Sequence, residues 1–314
     1  MSVQQILVIL APVFFVIFLG YMAGRFKKIS AENAKGLTTF VTKFALPAFL
    51  FVGIMSTPRS KVIENMPFFL TIVSGLLGFY LIVMLVSKFF FKTPLTRASI
   101  YGLNSTQPSF AFVGIPVLGG IFGSDAATIP IAITGVVVNA MLIPLASIFA
   151  TIGQNQDKDK SLVKVFFASL LKGLSSPLAW VPLLALVLTM LNSPTYPLFH
   201  KMLDMVGETT SGVALFAIGA TVGIRKINLS CKAIGLAGLK MIALPLFAFF
   251  VAQLFNLSSD DIVKAVLIVC FPCSSVAAMV ASEFKELESE TSSAFVLSTI
   301  SSLITVPIII SLLM

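Results

Sequence analysis

Charge is scarce in this chain. Only 11% of its 314 residues are Asp, Glu, Lys or Arg, and histidine occurs once, at His200. A lone histidine in a loop argues against a histidine metal centre and against a serine–histidine protease. Three cysteines cannot build a disulfide framework. Cys270-Phe271-Pro272-Cys273 has the C-x-x-C spacing, but it lies in an apolar segment without the βαβ context that a redox motif needs. No phosphate-binding loop and no paired-aspartate motif for prenyl transfer occur. ATP-driven pumping within this chain is therefore not expected. No metal or cofactor is implied, and an enzyme is not expected.

What the chain has in abundance is apolar surface. It is 57% hydrophobic with a mean hydropathy of +1.03. No soluble domain of this length is so poor in charge, so the sequence reads as an all-α polytopic membrane protein. The net charge is +8, but this does not point to nucleic acid. The basic residues sit in short loops beside apolar spans, which is the positive-inside pattern. The stretch from Ile6 to Gly20 is preceded by no basic residue and followed by Arg25, Lys27 and Lys28. A cleavable signal peptide has the reverse order.

The hydropathy pattern predicts ten spans, roughly 4–25, 34–56, 66–91, 95–122, 126–152, 174–192, 200–223, 232–256, 262–283 and 290–313. Arg25, Lys27, Lys28, Lys35, Lys88, Lys92, Arg97, Lys158, Lys160, Lys164, Arg225, Lys226, Lys232 and Lys285 then fall on one side. Only Arg59, Lys61, Lys201 and Lys264 fall on the other. This asymmetry puts the first side in the cytoplasm and both termini outside. A polar linker at 154–160 divides the chain into five-span halves, 1–153 and 161–314. Five is odd, so the second half enters from the opposite face. Ala48-Phe49-Leu50-Phe51-Val52-Gly53 resembles Ala214-Leu215-Phe216-Ala217-Ile218-Gly219. Pro108 matches Pro272, and Pro144 matches Pro307. Their shared order suggests an inverted repeat.

One span in each half is interrupted by polar residues and proline. The first break is Asn104-Ser105-Thr106-Gln107-Pro108-Ser109, and the second is Cys270-Phe271-Pro272-Cys273-Ser274-Ser275. Proline removes a helix hydrogen bond, costing about 3 kcal/mol, and pushes the preceding residue out of helical geometry. Lipid cannot satisfy freed backbone groups, so such breaks line an enclosed or watery cavity. A simple proline kink is the plainer reading of either break alone. The matched pair favours a binding site. New half-helices starting near Ser109 to Ala111 and Cys273 to Ser275 would present N–H groups to a carboxylate. The candidate substrate residues are Asn104, Thr106, Gln107, Pro108, Ser109, Pro272, Cys273, Ser274 and Ser275.

Three further polar residues stand inside apolar spans. Lys240 is a functional candidate because a buried ammonium costs roughly 2.5–3.5 kcal/mol on insertion scales, unless it snorkels to the interface. Glu208 is a candidate coupling carboxylate, or else a residue of the outer mouth beside Asp204. Asn139 either lines the cavity or makes an interhelical hydrogen bond. Glu283, Glu286, Glu288 and Glu290 read as a solvated cytoplasmic turn.

Gly114-Ile115-Pro116-Val117-Leu118 with Phe122-Gly123 resembles the fourth-helix signature of the auxin efflux carrier family. Gly212-Val213-Ala214-Leu215-Phe216-Ala217-Ile218-Gly219, Leu239-Lys240 with Pro245, and Pro272 with Ala277-Ala278 are similar to its later motifs. The resemblance spans the chain, and the short central loop resembles bacterial members, malonate transporters in particular. It implies the fold of bile acid:sodium symporters, with spans 1, 2, 6 and 7 as scaffold. Spans 3–5 and 8–10 would form a transport domain that moves as an elevator, with spans four and nine crossing at their breaks. It also implies a bacterial inner-membrane location and a small organic anion as substrate. The acid that some relatives pair with the eighth-helix lysine has no counterpart between Met66 and Phe91. An auxin-like monocarboxylate carrier and an anion channel of the same fold remain alternatives. Coupling to Na+ or H+ and a homodimer are left open.

Overall fold

The computed structural model describes residues 3–154, 167–168, 171, 174–194, 196–225 and 228–314. All but Gln154 of the linker at 154–160 lies outside these residues, as do Lys164, Lys172 and Lys226. The structure is all-α. Twelve helices are described: α1 Val3–Arg25, α2 Ala31–Met55, α3 Arg59–Phe89, α4 Leu95–Thr106, α5 Phe110–Phe122 and α6 Ala126–Gln154, then α7 Pro177–Met190, α8 Pro197–Ile224, α9 Cys231–Leu254, α10 Ser259–Cys270, α11 Ser275–Glu283 and α12 Glu288–Leu313. Seven of them, α1, α2, α3, α6, α8, α9 and α12, are long and apolar enough to cross a membrane. The shorter α5 and α7 are also apolar.

Helices α2 and α10 begin about a turn earlier than hydropathy suggests, and α9 one residue earlier, because polar caps start them. Ser30, Ser230 and Ser258 accept hydrogen bonds from the N–H groups of Asn33, Ala233 and Asp261. Each cap satisfies one of the orphan donors at a helix start. Three helices also carry a widened turn directly before a proline. These are Val41–Ala45 before Pro47, Val137–Leu142 before Pro144, and Leu239–Ala243 before Pro245. In each, the residue preceding the proline donates five residues back, Leu46 to Val41, Ile143 to Val138 and Leu244 to Leu239. The extra residue in the turn absorbs the donor that proline lacks, and the helix continues through it.

The tightest helix pair is α1 with the second part of α8. Gly20 and Gly24 of α1 abut the backbone of Phe216 and Ala220, while Gly219 and Gly223 of α8 abut that of Ile17 and Tyr21. A Cβ at any of the four would collide with a facing carbonyl oxygen. The two G-x-x-x-G stripes let the backbones touch, as membrane helices do where no hydrophobic drive separates lipid from protein. Contacts advance in the same direction along both chains, so α1 and α8 run parallel.

Helix α2 packs against both α7 and α8, and α4 packs between α3, the end of α6 and α11. Fully buried residues concentrate in α4, α5 and α10. Large apolar side chains such as Phe15, Phe18, Leu246, Phe250, Ile304 and Leu312 are exposed instead. Such faces on α1, α9 and α12 match a lipid environment, not water.

Candidate functional site

Both anticipated breaks are present, and they meet. Helix α4 stops at Thr106 and α10 at Cys270, with Gln107 and Phe271 extended ahead of their prolines. This is the geometry that proline imposes on the residue before it. The two breaks then pair as a short antiparallel bridge between Pro108 and Cys273. Ser109 N donates to the Pro272 carbonyl at 2.8 Å, and Ser274 N donates to the Gln107 carbonyl at 3.1 Å. Backbone groups that lipid would leave unpaired are thus satisfied by the opposite break.

This pairing differs from the sequence expectation in one respect. Ser109, Cys273 and Ser274 were expected to offer free N–H groups. The first and third are used across the bridge, and Cys273 N donates to Ser298 Oγ at 2.9 Å. Ser274 Oγ accepts from Val276 N at 3.2 Å and caps α11. The open first turns are therefore those of α5, at Phe110 and Ala111, and of α11, at Ser275. Ser298 went unnoticed in the sequence. Its signal was the run of hydroxyl residues Ser298, Thr299, Ser301 and Ser302 in an otherwise apolar helix.

Lys240 sits in the widened turn of α9 and is fully buried, so it does not snorkel. Its Nζ donates to the Thr106 carbonyl at 3.0 Å and to the Val269 carbonyl at 2.8 Å. These carbonyls belong to the last turns of α4 and α10, where the helix has no donor of its own for them. One ammonium therefore closes both broken ends. It is the one fully buried charged side chain among the described residues.

Beside this cation lies a group of polar atoms that are buried without partners. Both amide atoms of Asn104, Thr106 Oγ1 and Gln107 Oε1 make no hydrogen bond among the described residues. Asn104 and Thr106 are fully buried, and Gln107 nearly so. Buried side-chain polar atoms in native proteins are mostly bonded, so four orphans within four residues need an explanation.

The other candidates lie apart from this network. Asn139 Nδ2 donates to the Gly135 carbonyl of its own helix at 2.8 Å. Glu208 is exposed, at the bend between the two parts of α8. Arg97 Nε meets Glu286 Oε2 at 3.0 Å, which ties the start of α4 to the turn between α11 and α12.

Interrupted helices that meet around buried polar groups define a class, the polytopic membrane transporters. The chain belongs to the membrane transport protein family, that of the auxin efflux carriers, whose family model matches residues 5–310. It is a family of transporters and not of enzymes. The chain is 26% identical over 300 residues to the uncharacterized transporter YfdV of Escherichia coli (strain K12), covering 95% of each chain. It is 22% identical over 304 residues to a putative malonate transporter of Rhizobium meliloti (strain 1021), covering 94% of this chain and 92% of that one. It is 30% identical over 130 residues to auxin efflux carrier component 8 of Arabidopsis thaliana, covering 38% of this chain and 33% of that one.

Proposed function

We propose that this protein is a secondary carrier of small organic anions, with malonate or a similar dicarboxylate as the first substrate to test. The anion binds where the two breaks meet. The observation that carries this reading is the set of unpartnered buried atoms on Asn104, Thr106 and Gln107. Asn104 Nδ2 and Thr106 Oγ1 can donate to a carboxylate, while Asn104 Oδ1 and Gln107 Oε1 can accept from a carboxyl group that keeps its proton. The first-turn N–H groups of α5 and α11 add donors at partly positive helix ends.

Helix-end charges sharpen the substrate class. Two C-terminal ends, each carrying about half a negative charge, face Lys240. Two N-terminal ends carry about half a positive charge each. These partial charges offset one another, so the junction carries roughly one positive charge while Lys240 is protonated. It neutralises a monoanion outright. A dianion such as malonate enters with one co-bound cation, H+ or Na+. Lys240 is then the resident charge of the site and keeps one of its three donors for the ligand.

The finer architecture follows the same reading. Helices α4 with α5, and α10 with α11, each count as one broken span, which gives ten spans in two halves of five. The parallel run of α1 and α8 supports this count, because spans one and seven must run the same way. The packing of α1 on α8, of α8 on α2 and of α2 on α7 supports their role as scaffold. The remaining helices form the transport domain and carry the crossed breaks. The bias of basic residues towards one set of loops supports termini on the outer side.

A thermal-shift screen of the purified protein against small organic acids, with and without sodium and across pH, tests the assignment. Malonate is expected to stabilise the protein, and more so with Na+ or at lower pH. Absence of stabilisation by any organic acid under every condition overturns the proposal.

A further inference from the structure

A second charged site lies away from the junction. The second half of α1, the end of α8 and the middle of α12 line a half-open cavity of about 1140 Å³. That exceeds the roughly 300–1,000 Å³ of a typical small-molecule pocket. Its basic end carries Arg25, Lys27 and Arg225, and no carboxylate among the described residues lines it. Its other walls are apolar, including Phe14, Phe18, Ile300 and Leu303. Phe18, Ile300 and Leu303 are also exposed on the outer surface, so the cavity opens sideways to the lipid-facing side.

Arg225 is the unusual member. It follows the end of α8 and reaches across to α12, where its guanidinium lies 5.0 Å from the centre of the Phe295 ring. Its Nη1 is buried and has no hydrogen-bond partner among the described residues. Burial lowers its pKa, and no acid among the described residues acts to restore it. A desolvated cation without a counter-charge is costly, and a bound anion removes that cost. The cation–π contact holds the guanidinium in place without neutralising it.

We infer that this cavity is a binding site for an anionic membrane lipid, with the phosphate on Arg225, Arg25 and Lys27 and an acyl chain along Phe14, Phe18, Ile300 and Leu303. Size and lateral opening favour a lipid over a small soluble acid. The basic end, beside the loop after α1, meets the headgroup region where anionic lipids concentrate. The site does not depend on the junction being the transport site. Because it joins α8 to α12, an occupying lipid bridges the two helix groups.

The test is native mass spectrometry of the intact protein titrated with phosphatidylglycerol and with phosphatidylcholine. The wild type is expected to retain phosphatidylglycerol at least fivefold better. Arg225→Gln is expected to abolish the preference and Arg225→Lys to keep most of it. Ile300→Trp, which fills the apolar part, is expected to reduce retention of the bound lipid with all three cations intact. Equal retention of the two lipids by the wild type overturns the inference, as does an unchanged preference in Arg225→Gln. Competition by laurate that displaces all phosphatidylglycerol at equal concentration also overturns it, in favour of a free amphipathic acid.

Discussion

At the scale of single residues, the junction separates binding from stability. A buried amide without partners costs about 1–3 kcal/mol. Asn104→Ala removes that cost along with some packing. Its thermal midpoint is expected to stay within about 1 kcal/mol of wild type, or about 2–4 °C. Malonate binding is expected to fall at least tenfold. An Asn104 that merely holds the fold gives the opposite pattern, a large loss of stability with affinity retained. Lys240→Met behaves differently, because it strands the carbonyls of Thr106 and Val269. Each unpaired carbonyl costs about 1–3 kcal/mol, so a destabilisation of at least about 2 kcal/mol is expected beside the loss of binding. Differential scanning fluorimetry with a binding isotherm on both variants checks the two together. The first break was legible because four polar residues before Pro108 conflict with a membrane helix. The partners of Lys240 were not legible. They are backbone carbonyls from two distant helix ends, and no residue type announces an acceptor that every residue carries.

At the scale of elements, glycine and proline set the geometry. Gly219→Val is expected to force α1 away from α8 and to destabilise by at least about 3 kcal/mol, in the range of severe overpacking. Gly36→Ala, where a Cβ meets nothing within 4 Å, is expected to be neutral or to stabilise by about 0.5–1 kcal/mol. Chemical unfolding of the two variants in detergent measures the contrast. The spacing Gly20-x-x-x-Gly24 and Gly219-x-x-x-Gly223 was readable, but it says only that a close partner exists and not which helix it is. The caps at Ser30, Ser230 and Ser258 explain why hydropathy placed several helix starts late. A capped first turn such as Ser259-Asp260-Asp261 is polar by necessity. The widened turns were hidden as well. Whether a helix breaks at a proline or inserts one residue before it depends on whether neighbours satisfy the freed groups. At Pro108 and Pro272 the opposite break supplies the bonds, so the helix ends. At Pro47, Pro144 and Pro245 the helix supplies them and continues.

At the scale of the whole molecule, the account requires α1, α2, α7 and α8 to stay fixed while the remaining helices move. Gly53 of α2 faces Thr128 of α6 directly, across that boundary. A Gly53→Cys, Thr128→Cys pair is expected to stop malonate uptake on oxidation. Thr96 Oγ1 donates to the Ala150 carbonyl at 2.9 Å within the moving group. A Thr96→Cys, Ala150→Cys pair is therefore expected to leave most uptake intact. Equal arrest by both pairs contradicts a rigid-body movement. The all-α membrane class was plain from composition, and the family from short motifs spread along the chain. The meeting of the two breaks had to come from packing, because sequence spacing alone does not bring residues 108 and 273 together. The most direct measurement is counterflow of labelled malonate in proteoliposomes. The account predicts that unlabelled malonate inside accelerates entry of label through the wild type, and that Asn104→Ala loses this acceleration while remaining folded. Entry that is indifferent to internal malonate, or an Asn104→Ala protein that exchanges at the wild-type rate, contradicts it.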